Sequence, residues 1–344
     1  MAEHELASAV DDYLTRTYDG DRRRKLLDGG GWDAGLAAEL ADLGWYSVAV
    51  PEEKGGIGAP LSDLGPLFVE YGRHLVVGPQ LEYSLLPALV GGLDPAGQPP
   101  ALVDPGVTDD WAADVGSVSL TGRELTGTVE AVRFAAQAGV LVVVAGETVC
   151  LVDPAASGVR TEPVDSADPG TVFARVSFDG ATPHTLVPGA DLVGRIRAWA
   201  RLLLACELSG LARGALERTV GYVGQREQFG RPIGGFQAVK HLAADMAARS
   251  AGLQNLCAAA LDDAGEASGS DLELVSSTAK AHAAEAAARV CEDAIQLHGG
   301  MGFTTEADVS WYYRRALALR GWYGDATELQ RRIGAGLLTH ERQR

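Results

Sequence analysis

Apolar side chains near the start of the chain recur at steps of three and four residues, which places them on one face of a helix. Four such stretches, separated by glycine and proline, are Leu6–Thr17, Trp32–Leu43, Leu61–Tyr71 and Leu81–Leu93. The pattern predicts a small helical domain over residues 1–97.

The pattern changes between residues 98 and 192. Short runs of β-branched and apolar residues alternate here with turns rich in Gly, Asp and Pro, which is typical of strands. The clearest runs are Val118–Leu120, Val140–Val144, Val149–Val152 and Val172–Phe178. We therefore expect a compact β-domain in the middle of the chain.

Long stretches rich in alanine and leucine fill residues 193–344. Each is long enough for several helical turns: Arg195–Gln225, Phe236–Ala264, Leu272–Leu297 and Ala307–Leu319. Long antiparallel helices pack as a bundle, so we predict a C-terminal helical bundle. The resulting order of domains is uncommon, but fold alone fixes no chemistry.

Charge and composition narrow the function classes. The 344 residues carry a formal charge of −17, from 46 acidic and 29 basic side chains, which disfavours nucleic acid as a partner. The acidic N-terminus lacks signal-peptide character, and no apolar run is long enough to span a bilayer, so we expect a cytoplasmic protein without membrane insertion. The four cysteines are widely spaced, which predicts reduced thiols and no metal site.

Two further patches have simple interpretations. The basic run Arg22–Lys25 is expected to be a solvated face. The aromatic run Trp311–Tyr313 is expected to pack beside the bundle core.

The densest candidate chemistry lies at Arg226–Gln237, between two long helical stretches. Arg226 offers a planar guanidinium suited to a pyrophosphate, and Gly230 and Pro232 shape a tight turn. Gln237, near the start of the next helix, is placed to reach ribose hydroxyls or an adenine edge. A plain interhelical loop with an exposed arginine has a similar composition, but this combination favours the phosphate end of a dinucleotide.

A second cluster, Gln296–Phe303, ends the third long stretch with three glycines in four residues. Glycines stop a helix and let a ligand approach the backbone closely, although helix caps explain most such clusters. His298 within it is expected to be packed or solvent-facing.

Together these motifs resemble the acyl-CoA dehydrogenase family. The first reads Arg226-x-Gln228-Phe229-Gly230-x-Pro232-Ile233-x-x-Phe236-Gln237 and the second Gln296-x-x-Gly299-Gly300-x-Gly302. Leu43-Gly44 and the run Val50–Gly58 are similar to the family's helical-domain signature. The resemblance implies a mainly α fold with a β-barrel-like middle domain and a C-terminal four-helix bundle, FAD at a dimer interface, and α,β-dehydrogenation of an acyl-CoA.

The family's contacts to the adenosine and pyrophosphate end of a neighbouring subunit's FAD carry over to this chain. The resemblance assigns this cofactor-binding role to Arg226, Gln228, Phe229, Gln237, Gln296, Leu297, Gly299 and Gly300.

The family segments that hold the flavin ring do not carry over. In place of Ala-Leu-Thr-Glu-Pro, Gly-Ser-Asp and Ile-Thr-Asn, this chain has Ala101–Pro105, Asp109–Trp111 and Val132–Phe134. The hydrogen-bonding side chains for a flavin ring of its own are therefore largely missing.

The family's catalytic base is also missing. Gly324 stands at the usual glutamate position, and Ala200 stands at the alternative position on the first bundle helix. Neither side chain accepts a proton, so no catalytic residue is expected. Asp325 is a weak substitute, and Glu207 is expected to be a solvated or ion-paired helical residue.

The missing flavin-ring side chains and base, together with the retained residues for the nucleotide end of FAD, favour a non-catalytic subunit. We expect an FAD-dependent heteromer with a homologous subunit that carries the glutamate, arranged as α2β2. The resemblance implies bulky acyl-CoA substrates, such as those of steroid catabolism, and an electron-transfer acceptor. One alternative is a self-sufficient homo-oligomeric flavoenzyme that uses Asp325 or no protein base. Another is a flavin-free scaffold or acyl-CoA-binding protein.

Overall fold

The computed structural model describes residues 2–107, 116–166, 168, 170–304 and 306–342. None of the helices in these ranges combines the length and apolar character needed to cross a membrane. The elements follow the predicted order of helices, strands and long helices.

Five helices precede the strands. They are α1 (Ala2–Thr17), α2 (Gly20–Asp28), α3 (Ala34–Asp42), α4 (Leu64–His74) and α5 (Gln80–Leu89). Aspartates begin two of them, because the Asp19 carboxylate accepts the Arg22 amide and the Asp33 carboxylate accepts the Gly35 amide. Helix α2 is not marked by an apolar period in the sequence.

The solvated face predicted for the basic run is confirmed at Arg24 and Lys25, which are exposed, but not at Arg23. Arg23 is 4% exposed. Its guanidinium donates to the His74 carbonyl at 3.2 Å and pairs with Asp308 at 2.5 Å. The prediction was wrong for this residue because its partner lies far along the chain.

Within its described residues, the middle of the chain forms eight strands in two four-stranded sheets. They are β1 (Pro100–Val103), β2 (Gly116–Thr121), β3 (Glu124–Arg133), β4 (Val140–Ala145), β5 (Thr148–Val152), β6 (Val159–Val164), β7 (Phe173–Ala181) and β8 (Thr185–Pro188). One sheet has the order β1-β4-β5-β8 and the other β2-β3-β7-β6. Only the β1–β4 pair is parallel among these ladders.

Alternation along β4 gives its sheet two buried faces. Leu141 and Val143 face a core shared with the second sheet. Val142 and Val144 belong to the larger core that includes the helices. Since successive strand residues point to opposite faces, an unbroken apolar run is what a strand covered on both sides requires.

Long helices complete the chain. They are α6 (Ala190–Gln225), α7 (Gln237–Glu266), α8 (Gly269–His298), α9 (Val309–Gly321) and α10 (Ala326–Arg342), with a two-strand hairpin of β9 (Glu227–Gln228) and β10 (Arg231–Pro232) between α6 and α7. The predicted packing of Trp311 and Tyr312 is confirmed, since both are buried. The division at residues 97/98 and 192/193 stays our proposal; it falls between α5 and β1, and just inside α6.

Glycines let α4 cross α6 at close range. A Cβ atom added to Gly72 would lie 2.0 Å from the Glu207 carbonyl oxygen, and one added to Gly210 would lie 1.9 Å from the Val69 carbonyl oxygen. The two backbones therefore touch, which fixes the N-terminal helices against the bundle.

Candidate functional site

The two sequence motifs lie beside each other because the helices that carry them end together. The Tyr222 ring, near the end of α6, stacks on the His298 ring at the end of α8, with centroids 4.2 Å apart. The Tyr222 hydroxyl lies 3.5 Å from the His298 carbonyl oxygen. His298 is buried, and its Nδ1 lies 2.8 Å from the Ala294 carbonyl, so the packed alternative predicted for it is confirmed.

The first motif forms the β9–β10 hairpin. Its strands pair Gln228 with Arg231, and its two-residue turn has positive φ at Phe229 (53°) and Gly230 (78°). Paired positive φ values are typical of a type I′ turn, but they are unusual for phenylalanine. The Phe229 side chain is 91% exposed and meets Phe236 edge-on at 6.1 Å.

The predicted cofactor-binding residues are brought together on one surface, which we call the hairpin surface. It comprises Arg226, Gln228, Phe229, Gln237, Gln296, Leu297, Gly299 and Gly300. All are exposed except Leu297, which is half-buried. Nothing lies within 4 Å of a Cβ added to Gly299 or Gly300, so the backbone there is open to a ligand.

Exposed apolar side chains border the hairpin surface. Phe303 is 82% exposed and Met301 is 42% exposed, and both lie in the turn of helix that follows Gly299. Aromatic groups, an arginine fork and open glycine backbone on one surface suit a nucleotide or a protein partner. The donors and open backbone are therefore compatible with the nucleotide end of a dinucleotide, as they are with a protein surface.

The position that the resemblance relates to the usual base holds a glycine whose surroundings disfavour a side chain. Gly324 is buried and has a φ of 107°, in a region that favours glycine. A Cβ added there would lie 2.7 Å from Cδ2 of the fully buried Leu329. Its carbonyl oxygen lies 3.4 Å from Lys280 Nζ.

The alternative base position is also closed. Ala200 is fully buried within α6. The neighbouring Arg201 is committed to structure, since its Nε donates to the Tyr323 carbonyl at 2.8 Å and its Nη1 pairs with Glu273 at 2.5 Å.

Asp325 has a structural role at the start of α10. Its carboxylate accepts the Glu328 amide at 2.8 Å, as an N-cap does. It lines a cleft of about 340 Å³ that shares no lining residue with the cavity beside Arg133 described below.

The segments that the resemblance relates to a flavin-ring site meet at a small cavity, which we call the ring-side cavity. Its volume is about 120 Å³. It is lined by Glu82, Leu102, Asp104, Val129, Ala131, Val132, Arg133, Phe173, Trp322 and Tyr323. Asp104 is already paired, because it accepts two hydrogen bonds from Arg197 at 2.7 Å. Asp109–Trp111 lie outside the described residues.

An arginine occupies one wall of the ring-side cavity. The Arg133 guanidinium carbon lies 3.7 Å from the centroid of the Trp322 ring. Arg133 Nε lies 3.4 Å from Glu82 Oε1. Burial lowers the pKa of Arg133 and raises the pKa of Glu82. The residues here do not fit a flavin ring, because the Arg133 guanidinium lies over the Trp322 ring and the cavity is small.

A buried ion network joins this cavity to the rest of the molecule. Arg315 on α9 donates to Glu207 on α6 at 2.7 and 2.9 Å and to Asp168 in the β6–β7 connection at 2.9 Å. Burial lowers the pKa of Arg315, but its two carboxylate neighbours outweigh this and leave it raised overall. Glu207 is thus ion-paired, one of the two alternatives predicted for it.

Sequence reasoning missed Glu82, Arg133, Trp322 and Arg315. They lie in α5, in β3, in α9 and just after α9, so no single motif brings them together. The one local signal was an arginine inside an otherwise apolar strand end, since charged residues are rarely buried without a partner.

A separate cluster of possible metal ligands is paired with an arginine. Asp11, Glu70 and His74 each offer an atom within 4.8 Å of the others. Arg73 Nη1 lies 2.6 Å from the Asp11 carboxylate and 3.2 Å from the Glu70 carboxylate. The guanidinium therefore stands where a cation would bind.

Comparison with known proteins identifies relatives of the chain. Residues 189–338 match the family model for the C-terminal domain of acyl-CoA dehydrogenases. The chain is 35% identical to acyl-CoA dehydrogenase FadE34 of Mycobacterium tuberculosis over 87% of its own length, but spans only 41% of that protein. It is 31% identical to acyl-CoA dehydrogenase IpdE2 of the same organism, over 83% of this chain and 81% of IpdE2.

Solved structures share the fold along nearly the whole chain. A chain of a variant of the Tcur3481-Tcur3483 steroid ACAD superimposes with a TM-score of 0.88 and 26% identity, covering 99% of both chains. A chain of the ChsE4-ChsE5 complex from Mycobacterium tuberculosis also superimposes with a TM-score of 0.88, at 27% identity, covering 98% of this chain and 97% of that one.

Proposed function

The chain belongs to the acyl-CoA dehydrogenase family, and we propose that it is the non-catalytic subunit of a heteromeric member. In this role it completes the FAD site of a homologous subunit that supplies the catalytic glutamate. The proposed assembly is an α2β2 heterotetramer.

The observation that carries the proposal is the absence of a proton acceptor at both family base positions. Gly324 and Ala200 cannot remove an α-proton, and at Gly324 the positive φ and the contact of an added Cβ with Leu329 disfavour any side chain. Asp325 is engaged as a helix cap, and its cleft shares no lining residue with the ring-side cavity. Chemistry therefore needs a base from another chain.

The exposed hairpin surface supports a role toward a neighbour's cofactor. Arg226 and the glycine backbone at Gly299–Gly300 are open to solvent and offer donors suited to phosphate oxygens. In this proposal Gln237 and Gln296, both exposed, bind the adenosine. FAD held this way supplies the hydride acceptor at the partner's active site, while this chain binds and orients its nucleotide end.

The nature of the solved relatives supports a heteromeric assembly. One of the matching structures is a steroid ACAD named for two gene products, and the other is a named two-protein complex. We propose, on this basis, a bulky acyl-CoA thioester such as a steroid derivative as the substrate of the assembly, with an electron-transfer acceptor for the reduced flavin.

Co-expression with homologues that retain the glutamate tests the proposal. We expect the isolated chain to be flavin-free and inactive. We expect the co-purified complex to hold one FAD per pair of chains and to oxidise an acyl-CoA in a dye-linked assay. The homologue alone is the control for flavin content.

Two outcomes would overturn the proposal. Stoichiometric FAD in the isolated chain with acyl-CoA turnover would establish the self-sufficient flavoenzyme. Absence of flavin both alone and with every homologue would favour the flavin-free scaffold or acyl-CoA-binding protein.

A further inference from the structure

The ring-side cavity is closed by a strand irregularity that turns a charged residue inward. The β3–β7 ladder shifts register between Val129 and Val132. Beyond the shift, Val132 and Arg133 are both buried, although they are adjacent in the strand. A bulge commonly re-aims a side chain in this way. The fold therefore directs Arg133 toward the cavity by a specific local device.

The guanidinium lies over an aromatic ring in the manner of a stacked planar group. Arg133 approaches the Trp322 ring at 3.7 Å, and Arg315 approaches the same ring at 5.1 Å. The indole is thus flanked by two cations, both of which are buried. The Arg133 guanidinium covers the face of the Trp322 ring over which it lies, so no other planar group can stack there.

The remaining space is too small for a three-ring heterocycle. The cavity holds about 120 Å³. Pockets for small molecules are usually about 300–1,000 Å³. Arg133 lines this space and stacks on Trp322, so a smaller residue at position 133 would enlarge the cavity and uncover the indole.

Arg133 is not fully satisfied within its own chain. Among the described residues, its Nε and Nη1 have no hydrogen-bond acceptor, and Glu82 Oε2 likewise has no donor. Arg133 is 7% exposed and Glu82 is 2% exposed. Unpaired buried groups are costly, so their persistence indicates a functional constraint more than a contribution to stability.

We infer that Arg133, seated on Trp322 beside Glu82, is the residue that excludes the flavin ring from this chain. This inference rests on the proposed function and deepens it. The loss of ring-binding side chains is here accompanied by a plug. The assembly then places flavin in the catalytic subunit alone, because the equivalent place in this chain is occupied by its own side chain.

Lumiflavin, the flavin ring without a nucleotide, is the probe for the plug. The variant Glu82→Gln/Arg133→Thr removes the guanidinium without leaving a buried carboxylate unpaired. We expect it to quench lumiflavin fluorescence saturably, with at least tenfold tighter binding than the wild-type full chain. Glu82→Gln alone and the exposed-site variant Arg160→Ala are matched controls that should resemble the wild type.

A second variant controls for misfolding caused by the substitutions. Glu82→Gln/Arg133→Met keeps a long side chain over the indole, and we expect it to fold and to exclude lumiflavin as the wild type does. Circular dichroism and thermal melting report folding. The inference is overturned if the folded threonine variant does not bind lumiflavin, or if the wild type or the methionine variant binds it equally well.

The plug and the proposed function fail in different ways. A complex with one FAD per pair of chains, together with a threonine variant that rejects lumiflavin, removes the plug and leaves the subunit role intact. FAD and turnover in the isolated wild-type chain remove both.

Discussion

We propose that the hairpin surface binds the nucleotide end of a partner's FAD, whereas the resemblance relates the ring-side cavity to the flavin ring of a second FAD, and the two regions are built in opposite ways. The hairpin surface is exposed, rich in donors and open at its glycines. The ring-side cavity is small, buried and filled by Arg133 and Trp322. The contrast teaches that, under the proposed function, a fold can keep a surface that serves a partner's cofactor site while filling the corresponding site of its own.

The two regions also differ in the interactions that stabilise them. The ring-side cavity adjoins the Arg315 network, which joins α6, α9 and the β6–β7 connection through buried charges. The hairpin surface depends on the stacking of Tyr222 on His298. Substitutions around the ring-side cavity should therefore change folding stability. Substitutions on the hairpin surface should instead change cofactor retention.

The largest expected effect comes from removing Arg315, whose buried ion pairs adjoin the ring-side cavity. Arg315→Met leaves Glu207 and Asp168 as buried carboxylates without their partner, which should cost about 3–5 kcal/mol of unfolding free energy. Urea denaturation measures the loss. The adjacent exposed residue gives a matched control, because Arg314→Met should change stability by no more than about 0.5 kcal/mol. Equal losses in both variants would contradict the role of the network.

On the hairpin surface, Arg226→Ala should weaken FAD retention in the co-expressed complex. Loss of a charge-assisted contact to phosphate corresponds to about 1.5–3 kcal/mol, or roughly a 10- to 150-fold weaker affinity. The melting temperature of the isolated chain should not change, because the side chain is exposed. Equilibrium dialysis of the complex measures retention, and the exposed variant Lys240→Ala is the control. Unchanged FAD affinity in Arg226→Ala would remove this residue from the proposed site.

A substitution at Gly324 tests the backbone conformation and packing next to Tyr323 of the ring-side cavity. Gly324→Ala should cost about 1–3 kcal/mol, because its backbone has a φ of 107° and the new methyl group meets Leu329. Gly321→Ala, at the end of α9 with nothing near its added Cβ, should be neutral or stabilising. Chemical denaturation of both variants checks the contrast.

A base restored at the same position should not restore activity. We expect Gly324→Glu to show no acyl-CoA turnover by the isolated chain, since the ring-side cavity has no place for a flavin ring. Robust turnover by this variant alone would show that the cavity had been misinterpreted.

The smallest expected effect is a pH dependence at His298. Burial lowers the pKa of the folded-state imidazole, so the unfolded state binds more protons as the pH falls. Stability should decrease by under about 1 kcal/mol as the pH drops below the ordinary histidine value near 6.5. His298→Gln should lack this component, whereas the exposed-site variant His184→Gln should retain it. The midpoints of urea unfolding at pH 7.5 and 5.5 measure this pH dependence. If the stabilities of the wild type and of His298→Gln change in parallel between these pH values, His298 is not the group responsible.

Most helices were predictable because their apolar periods are local. The stretches predicted from Arg195 and Phe236 became α6 and α7, with ends displaced by only a few residues. Helices α2 and α10 were not predicted. Glu124–Arg133 was also missed as a strand, since Gly, Thr and Glu interrupt its apolar pattern and its inward residues depend on a bulge.

The candidate site divides in the same way. The motif residues of the hairpin surface were found from the sequence, because they are consecutive or nearly so and their spacing follows helix ends. The plug was not found, because Glu82, Arg133 and Trp322 come from three distant parts of the chain. The solvated face predicted for Arg22–Lys25 was wrong at Arg23 for the same reason.

By itself, the sequence determined the order of helical, β and helical regions, the two motifs and the empty base positions, since each of these is written in residue type and short-range spacing. Only the tertiary structure decided that the motifs share one exposed surface and that Arg133 stacks on Trp322. Those outcomes depend on which distant segments meet, and on a strand register that no local pattern specifies.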